Sequence, residues 1–309
     1  MGQYYSIGVD LGGTNLRAAA IDCRGKIIEK IEGSTNLSAG REAVVSDIAD
    51  SIIRLRTAGG SERLAGIGIG APGFIIMERG VITGSPNMPG FEDYAMRDEI
   101  ERMVQAPVIL ENDANAAALG EKWVGAGRDV DDLVLLTLGT GIGGGIISGG
   151  NILHGFVGMA GEIGHMTVVP DGNPCGCGNR GCLEKHASAT AVVSMARMMG
   201  LGENLTSKDV FDLAIAGNPK ARAVFETAGS ALGVALAALV NIFNYPLYLL
   251  SGGVLAAWDV FAPVMFEELK RRSYVFRNTV TRIEPAALGN EAGLYGAAYL
   301  PFKARVIAA

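Results

Sequence analysis

Residues 4–11 and 16–22 are apolar runs of strand length, separated by Gly12-Gly13-Thr14-Asn15. Two such runs around a glycine-bearing turn predict a β-hairpin, because glycine supplies the positive φ that tight turns need. A third strand is expected over 26–32. Over 39–58, Val44, Ile48, Ile52 and Leu55 recur at helical spacing, which predicts an amphipathic helix stopped by Gly59-Gly60. A buried strand over 64–70 follows. Residues 71–93 carry the turn clusters APG, GSPN and MPG and read as a long surface loop of the kind that holds substrate contacts. A strand over 108–111 gives way to a helix over 112–123. An apolar run over 131–138 then ends in Gly139-Thr140-Gly141 and is followed by a strand-like run over 142–148. From residue 187 the pattern is mostly helical, broken by a strand over 247–250 with its Ser251-Gly252-Gly253 turn and by another near 282–285. Residues 292–300 form a closing helix.

The segments VDLGGTNLRAAAID and LTLGTGIGGGIISG share one grammar: strand, small-residue turn, strand. That repeat predicts two domains of related topology, and a length of 309 residues with 49% apolar content supports two cores. The net charge of -6, with no run of basic residues, argues against a nucleic-acid partner. The longest nearly apolar stretch, 231–243, is broken by Gly233 and Asn241 and falls short of the roughly 20 residues of a membrane span, so no membrane association is expected. The first residues, MGQYYSIGVDLGG, lack the basic and apolar regions of a secretory signal, and a cytoplasmic location is the expectation.

Three constellations carry chemistry. Asp10 stands at a strand end before Gly12, Gly13 and Thr14, where exposed amides and a hydroxyl suit phosphate oxygens; a plain hairpin turn explains the same residues. Gly139-Thr140-Gly141 supplies a second such turn, and the pair favours a nucleotide site. Residues 139–144 and 68–73 both spell GxGxxG, yet a dinucleotide site needs a helix directly after the glycines, and neither string has one; no GxxxxGK[ST] occurs. His165, Cys175, Cys177 and Cys182 offer four soft ligands with none left open, the chemistry of structural zinc, with a disulfide or buried thiols as the alternative. Asn112-Asp113 lies where strand becomes helix, which makes a carboxylate at a strand end or an ordinary N-cap. Glu162, His165 and Glu184 bracket the cysteines and are fitted to sugar hydroxyls, with solvated charges as the alternative. Cys23, His154 and His186 read most simply as structural or exposed residues.

The motifs DLGGT (10–14), GIGAPG (68–73), NDAN (112–115), GTGIGGG (139–145), GEIGH (161–165) and CGCGNRGCLE (175–184) occur in that order, and with them the chain resembles the ROK family (repressors, uncharacterised reading frames, sugar kinases) over residues 8–296. The resemblance implies an α/β, actin-like ATPase (ribonuclease H-like) fold, with two α/β domains flanking a cleft. Residues 1–112 would form the first domain, with the helix 292–309 packing back on it. Residues 113–291 would form the second, with a zinc loop over 165–182. A hinge is expected near Glu111 and Asn290.

By the same resemblance the chain is a hexose kinase, most like a bacterial ATP-dependent glucokinase. Asp113 is then the base that takes the proton from the sugar's primary hydroxyl, and Asn112, Glu162, His165, Glu184 and, from the SPNMPGF loop, Asn87 bind the sugar. Gly12, Gly13, Thr14, Gly139, Thr140 and Gly141 become phosphate turns, Asp10 the acidic residue near Mg²⁺, and Gly252-Gly253 the adenosine pocket. The expected cofactors are ATP, Mg²⁺ and structural Zn²⁺, and the expected assembly is a homodimer. N-acetylmannosamine, N-acetylglucosamine or fructose are alternative acceptors, and polyphosphate an alternative donor that the acidic net charge disfavours. The rival from another class is a sugar-responsive repressor, disfavoured because strand one begins near residue 4 with no helix-turn-helix ahead of it.

Overall fold

The computed structural model describes residues 4–60, 63–85 and 88–308. The chain opens with β1 (Tyr5–Leu11), β2 (Asn15–Asp22) and β3 (Ile27–Ser34), then α1 (Arg41–Gly59) and β4 (Leu64–Ala71). The stretch after β4 is more ordered than a surface loop. It contains a hairpin of β5 (Phe74–Ile76) and β6 (Val81–Gly84), and is followed by α2 (Met96–Val104), which the hydrophobic pattern had not singled out. Next come β7 (Val108–Asn112), α3 (Asp113–Val124), β8 (Leu133–Leu138), β9 (Ile142–Ser148) and β10 (Asn151–Ile152). The later part holds α4 (Glu184–Ala187), α5 (Ala189–Met198), α6 (Ser207–Ile215), α7 (Pro219–Phe243), β11 (Leu247–Ser251), α8 (Trp258–Arg272), β12 (Arg282–Pro285) and α9 (Ala292–Ala308).

The strands make two five-stranded sheets, ordered β3-β2-β1-β4-β7 and β10-β9-β8-β11-β12. In the first sheet β1 pairs antiparallel with β2 and parallel with β4. In the second, β8 pairs parallel with β11, and β11 with β12. The two orders are the same pattern, so the short repeat read from the sequence extends to whole sheets.

The chain divides into two compact units. One comprises residues 1–131, 145–161 and 287–309, and the other residues 132–144 and 162–286. This differs from a boundary at 112/113, because α3 groups with the first unit. The reason is close packing: a Cβ on Gly120 would lie 2.2 Å from the Ala292 carbonyl oxygen, and one on Gly296 would lie 1.6 Å from that of Ala116. Only glycine lets the α3 and α9 backbones approach so closely. α9 lies equally close on the sheet, where Gly8 faces Leu294 and Ala298 and Gly68 faces Ala297. The closing helix therefore packs on the first unit and fixes α3, whose first residue is Asp113.

In the second unit α7 is the central helix, packed on α8. It is 25 residues long and contains an 18-residue window of mean hydropathy 1.8. Length and composition alone would thus allow a membrane span, which the shorter 231–243 run had argued against; 67% of the window is buried within the protein, as in a core helix.

Candidate active site

Each unit presents its own set of candidate residues. In the first, β7 delivers Asn112 and α3 begins at Asp113. Asn112 is the helix N-cap: its Oδ1 accepts from the amides of Ala114 (2.9 Å) and Asn115 (3.1 Å), and its Nδ2 donates to the Gly73 carbonyl at 3.3 Å. The N-cap alternative is thus realised in Asn112, whose side chain satisfies two amides that the first turn leaves free. Asp113 accepts from the Ala114 amide at 2.9 Å. Burial pushes its carboxyl above the usual range, against the lowering effect of the backbone hydrogen bonds and Asn112.

Asp10, at the end of β1, is raised to about 6, first by burial and then by the Asp113 charge. Arg17 opposes that rise, its Nη1 lying 3.2 Å from Asp10 Oδ2. Beside these carboxylates the Gly12-Gly13-Thr14 turn is held by Asn15 and Thr35, and Asn15 Nδ2 donates to the Thr14 hydroxyl at 3.0 Å. The Gly12 amide donates to the Asn15 carbonyl (2.8 Å), and Thr35 donates through its hydroxyl to Gly12 and through its amide to Thr14. Thr14 is exposed. The Asp10 carboxylate is an oxygen donor of the kind a hard divalent cation takes, with Arg17 offsetting part of its charge in the cation's place.

In the second unit the Gly139-Thr140-Gly141 turn is braced from three directions. The Ala189 amide at the start of α5 donates to Gly139 O (2.9 Å), Thr190 Oγ1 donates to Thr140 O (2.8 Å), and Glu184 Oε2 accepts from the Ile142 amide (3.1 Å). Glu184 lies so close to the turn that a Cβ on Gly141 would meet its Oε2 at 2.4 Å. Gly252, at φ 100°, packs on Leu138 directly before the turn. Gly253 opens the next turn with no atom within 4 Å of where a Cβ would stand. The structure thus gathers Glu184, the 139–141 turn and Gly252.

The four metal-ligand candidates converge as the spacing suggested. One ligand atom from each of His165, Cys175, Cys177 and Cys182 lies within 4.8 Å of the other three. The Cys177 and Cys182 sulfurs are 3.7 Å apart, matching the ~3.8 Å edge of a tetrahedron built on zinc–sulfur bonds. His165 turns Nδ1 to Cys175 Sγ (3.6 Å) and Nε2 toward Glu162 Oε2 (3.8 Å). Its two nitrogens are thereby divided between the cluster and a candidate sugar ligand. Burial and the neighbouring sulfurs push the Cys182 thiol up to about 12, a cost of ionisation that a bound cation would offset. The set fits structural zinc. Asn87 lies outside the described residues.

Sequence reasoning passed over Arg17 and Asn115 as site residues and took Glu111 only as a hinge position. Glu111 is buried, and its Oε1 accepts from the Asn112 amide (2.9 Å) and Asn115 Nδ2 (3.1 Å). The available signal was a carboxylate at the end of an apolar strand, where only a buried polar partner makes it tolerable.

The ROK family model matches residues 6–304. The chain belongs to the ROK family. Among ROK relatives, the glucokinase of Halalkalibacterium halodurans is 40% identical, over 97% of this chain and 96% of that one. The solved ROK hexokinase of Thermus thermophilus has a TM-score of 0.89 and 37% identity, covering 99% of this chain and all of that one. The ROK glucokinase of Streptomyces griseus, solved with glucose and AMPPNP, has a TM-score of 0.80 and 34% identity, covering 97% and 99%. Xylose repressors also match, at 29% identity. The α/β, actin-like ATPase fold expected from the motifs is the fold of this chain.

Proposed function

We propose that this chain is an ATP-dependent hexose kinase that transfers the γ-phosphoryl group to the 6-hydroxyl of glucose, with Asp113 as the general base. The observation that carries this reading is the placement of Asp113: it begins α3 directly after the Asn112 N-cap, is coupled electrostatically to Asp10, and has its carboxyl raised above the usual range by burial. A carboxylate held above its usual range gains driving force for accepting the hydroxyl proton. The glucokinase relatives and the glucose and AMPPNP complex support the choice of substrates.

Phosphoryl transfer passes through a loose transition state, so the protein's work is alignment and charge stabilisation. Asn112, Glu162, His165 and Glu184 hold ring hydroxyls and orient O6 toward the phosphate. The Gly12 and Gly139 amides close their own turns, and the amides of Gly13, Thr14, Thr140 and Gly141 receive phosphate oxygens; Gly252-Gly253 form the floor of the adenosine pocket. Asp10 would hold Mg²⁺, which when bound supplies positive charge beside the phosphates. His165, Cys175, Cys177 and Cys182 would hold Zn²⁺, fixing the loop that carries His165 and leads to Glu184. Asp113 takes the O6 proton as the new P–O bond forms. The reading includes a homodimer in the cytoplasm with no nucleic-acid partner, and light scattering tests the assembly.

The direct test is a panel of hexoses with ATP and Mg²⁺, following ADP release and locating the phosphate on the product by ³¹P NMR. Glucose is expected to give the highest kcat/KM, with the phosphate on O6. Preference for N-acetylmannosamine, N-acetylglucosamine or fructose would move the substrate within the same chemistry, and turnover with polyphosphate alone would reject ATP as the required donor. No turnover on any hexose would reject the kinase reading.

A further inference from the structure

Glu111 is the residue directly before the Asn112-Asp113 pair, and it is almost wholly enclosed, with 1% of its side chain exposed. A buried carboxylate is costly unless its oxygens are fully engaged. Here Oε1 serves the Asn112 amide and the Asn115 side chain, one on each side of Asp113. Oε2 meets His154 Nε2 at 2.7 Å, 43 residues away in sequence. The histidine is held above its ordinary pKa, chiefly by this bond, and the contact is a charge-assisted hydrogen bond.

His154 stands just after β10, at the start of residues 153–161, which run in sequence straight into Glu162. That loop is closed on itself by the Ala160 amide donating to the His154 carbonyl at 3.1 Å. It also packs on β5, where Gly158, at φ 80°, leaves no room for a Cβ against the Ile75 carbonyl. One buried carboxylate therefore ties together the strand end that carries the base, the first turn of the base's helix, and the loop that leads to a candidate sugar ligand.

We infer that Glu111 and His154 are positioning residues for phosphoryl transfer: His154 fixes the rotamer of the Glu111 carboxylate, and the carboxylate fixes the backbone on which Asp113 and Asn112 stand. The inference rests on the proposed kinase function. Without His154, Oε2 has no fixed partner, the carboxylate can turn, and the Asn112 and Asn115 bonds loosen together. Displacement of the base by a fraction of an ångström acts on the chemical step more than on ATP binding.

The test compares wild type, His154→Ala and His154→Gln, all checked for fold by thermal melting. His154 is partly exposed, and the glutamine side chain is long enough to donate an N–H to Glu111. His154→Ala is expected to lower kcat about tenfold while the KM for ATP stays within about twofold, and His154→Gln to restore kcat to within about threefold of wild type. Amide hydrogen exchange should accelerate at Asn112, Ala114 and Asn115 in His154→Ala and return toward wild type in His154→Gln. A folded His154→Ala with wild-type kcat and wild-type exchange overturns the inference. So does a loss in His154→Gln equal to that in His154→Ala. If His154→Ala does not fold, the exchange and kcat of His154→Gln against wild type decide, and slow kcat with unchanged exchange counts against it. A wild type inactive on every hexose rejects the kinase reading, whereas unchanged exchange in His154→Ala rejects the tie itself.

Discussion

The turn after β1 and the turn after β8 occupy equivalent places in two sheets of the same strand order, yet different groups surround them. The first, Gly12-Gly13-Thr14, is held by Asn15 and Thr35 and stands by Asp10, whose carboxyl is raised by burial and by the Asp113 charge. The second, Gly139-Thr140-Gly141, is tied to α5 through Ala189 and Thr190, and its carboxylate, Glu184, is already committed to a backbone amide. On the proposed reading, a repeated strand-turn-strand carries proton and cation chemistry in one copy and phosphate-binding donor groups in the other. The difference lies in what each turn's neighbours contribute, because the turn residues themselves are nearly alike.

Removing the metal cluster should have the largest effect on the second unit alone. Cys177→Ala is expected to lose the zinc that wild type binds at about one per chain and to weaken glucose binding at least about tenfold, while ATP affinity changes less. Losing one of four ligands frees the loop bearing His165 and gives back its conformational entropy. Metal analysis and calorimetric glucose titration check this; a variant without zinc that binds glucose normally would separate the cluster from the sugar site.

Thr140→Val sharpens the comparison at the braced turn. Its exposed hydroxyl is lost while the carbonyl that Thr190 engages remains. The expected result is an increase of about tenfold in the KM for ATP with little change for glucose, the lower end of the cost of one hydrogen bond to a charged group. Unchanged ATP kinetics would remove this turn from the phosphate site.

Asp10→Asn addresses the turn after β1 through stability in the absence of ATP and Mg²⁺. A carboxyl whose folded-state pKa is raised costs stability as it ionises. The favourable contribution is therefore complete below the ordinary value of 3.8 and is lost as pH rises through about 6. The variant should be more stable than wild type by about 1–2 kcal/mol at pH 7, with the gain absent at pH 4. The lost Arg17 contact sets that range below the full linkage value. Urea unfolding at the two pH values is the measurement, and a difference independent of pH would contradict the assignment.

Much of this was legible in the sequence, for reasons that also mark where legibility stops. The hairpins around residues 12–15 and 139–141 announce themselves because apolar runs flank glycine turns, and the metal cluster because three cysteines fall within eight residues of one another. α2 escaped notice although Met96, Ile100 and Val104 recur at helical spacing and are its buried residues, since the charged positions between them continue the polar character of the preceding turns. The boundary of the first unit was misplaced because the tie between α3 and α9 is made by glycines, which leave no hydrophobic signal. Among site residues, Asn112, Asp113 and the ligand set belong to local motifs. Arg17, Glu111 and His154 gain their meaning from partners that only folding supplies, the last two across 43 positions.

The most direct test of the account is turnover of glucose with ATP by wild type and Asp113→Asn, measured beside glucose binding in both. The asparagine keeps the shape and the hydrogen bond to the Ala114 amide but cannot accept the hydroxyl proton. The expected result is glucose 6-phosphate from wild type, unchanged glucose affinity in the variant, and a kcat lower by about 10²–10⁴-fold. A folded variant that binds glucose and turns over within a few-fold of wild type would contradict the central claim that Asp113 is the base.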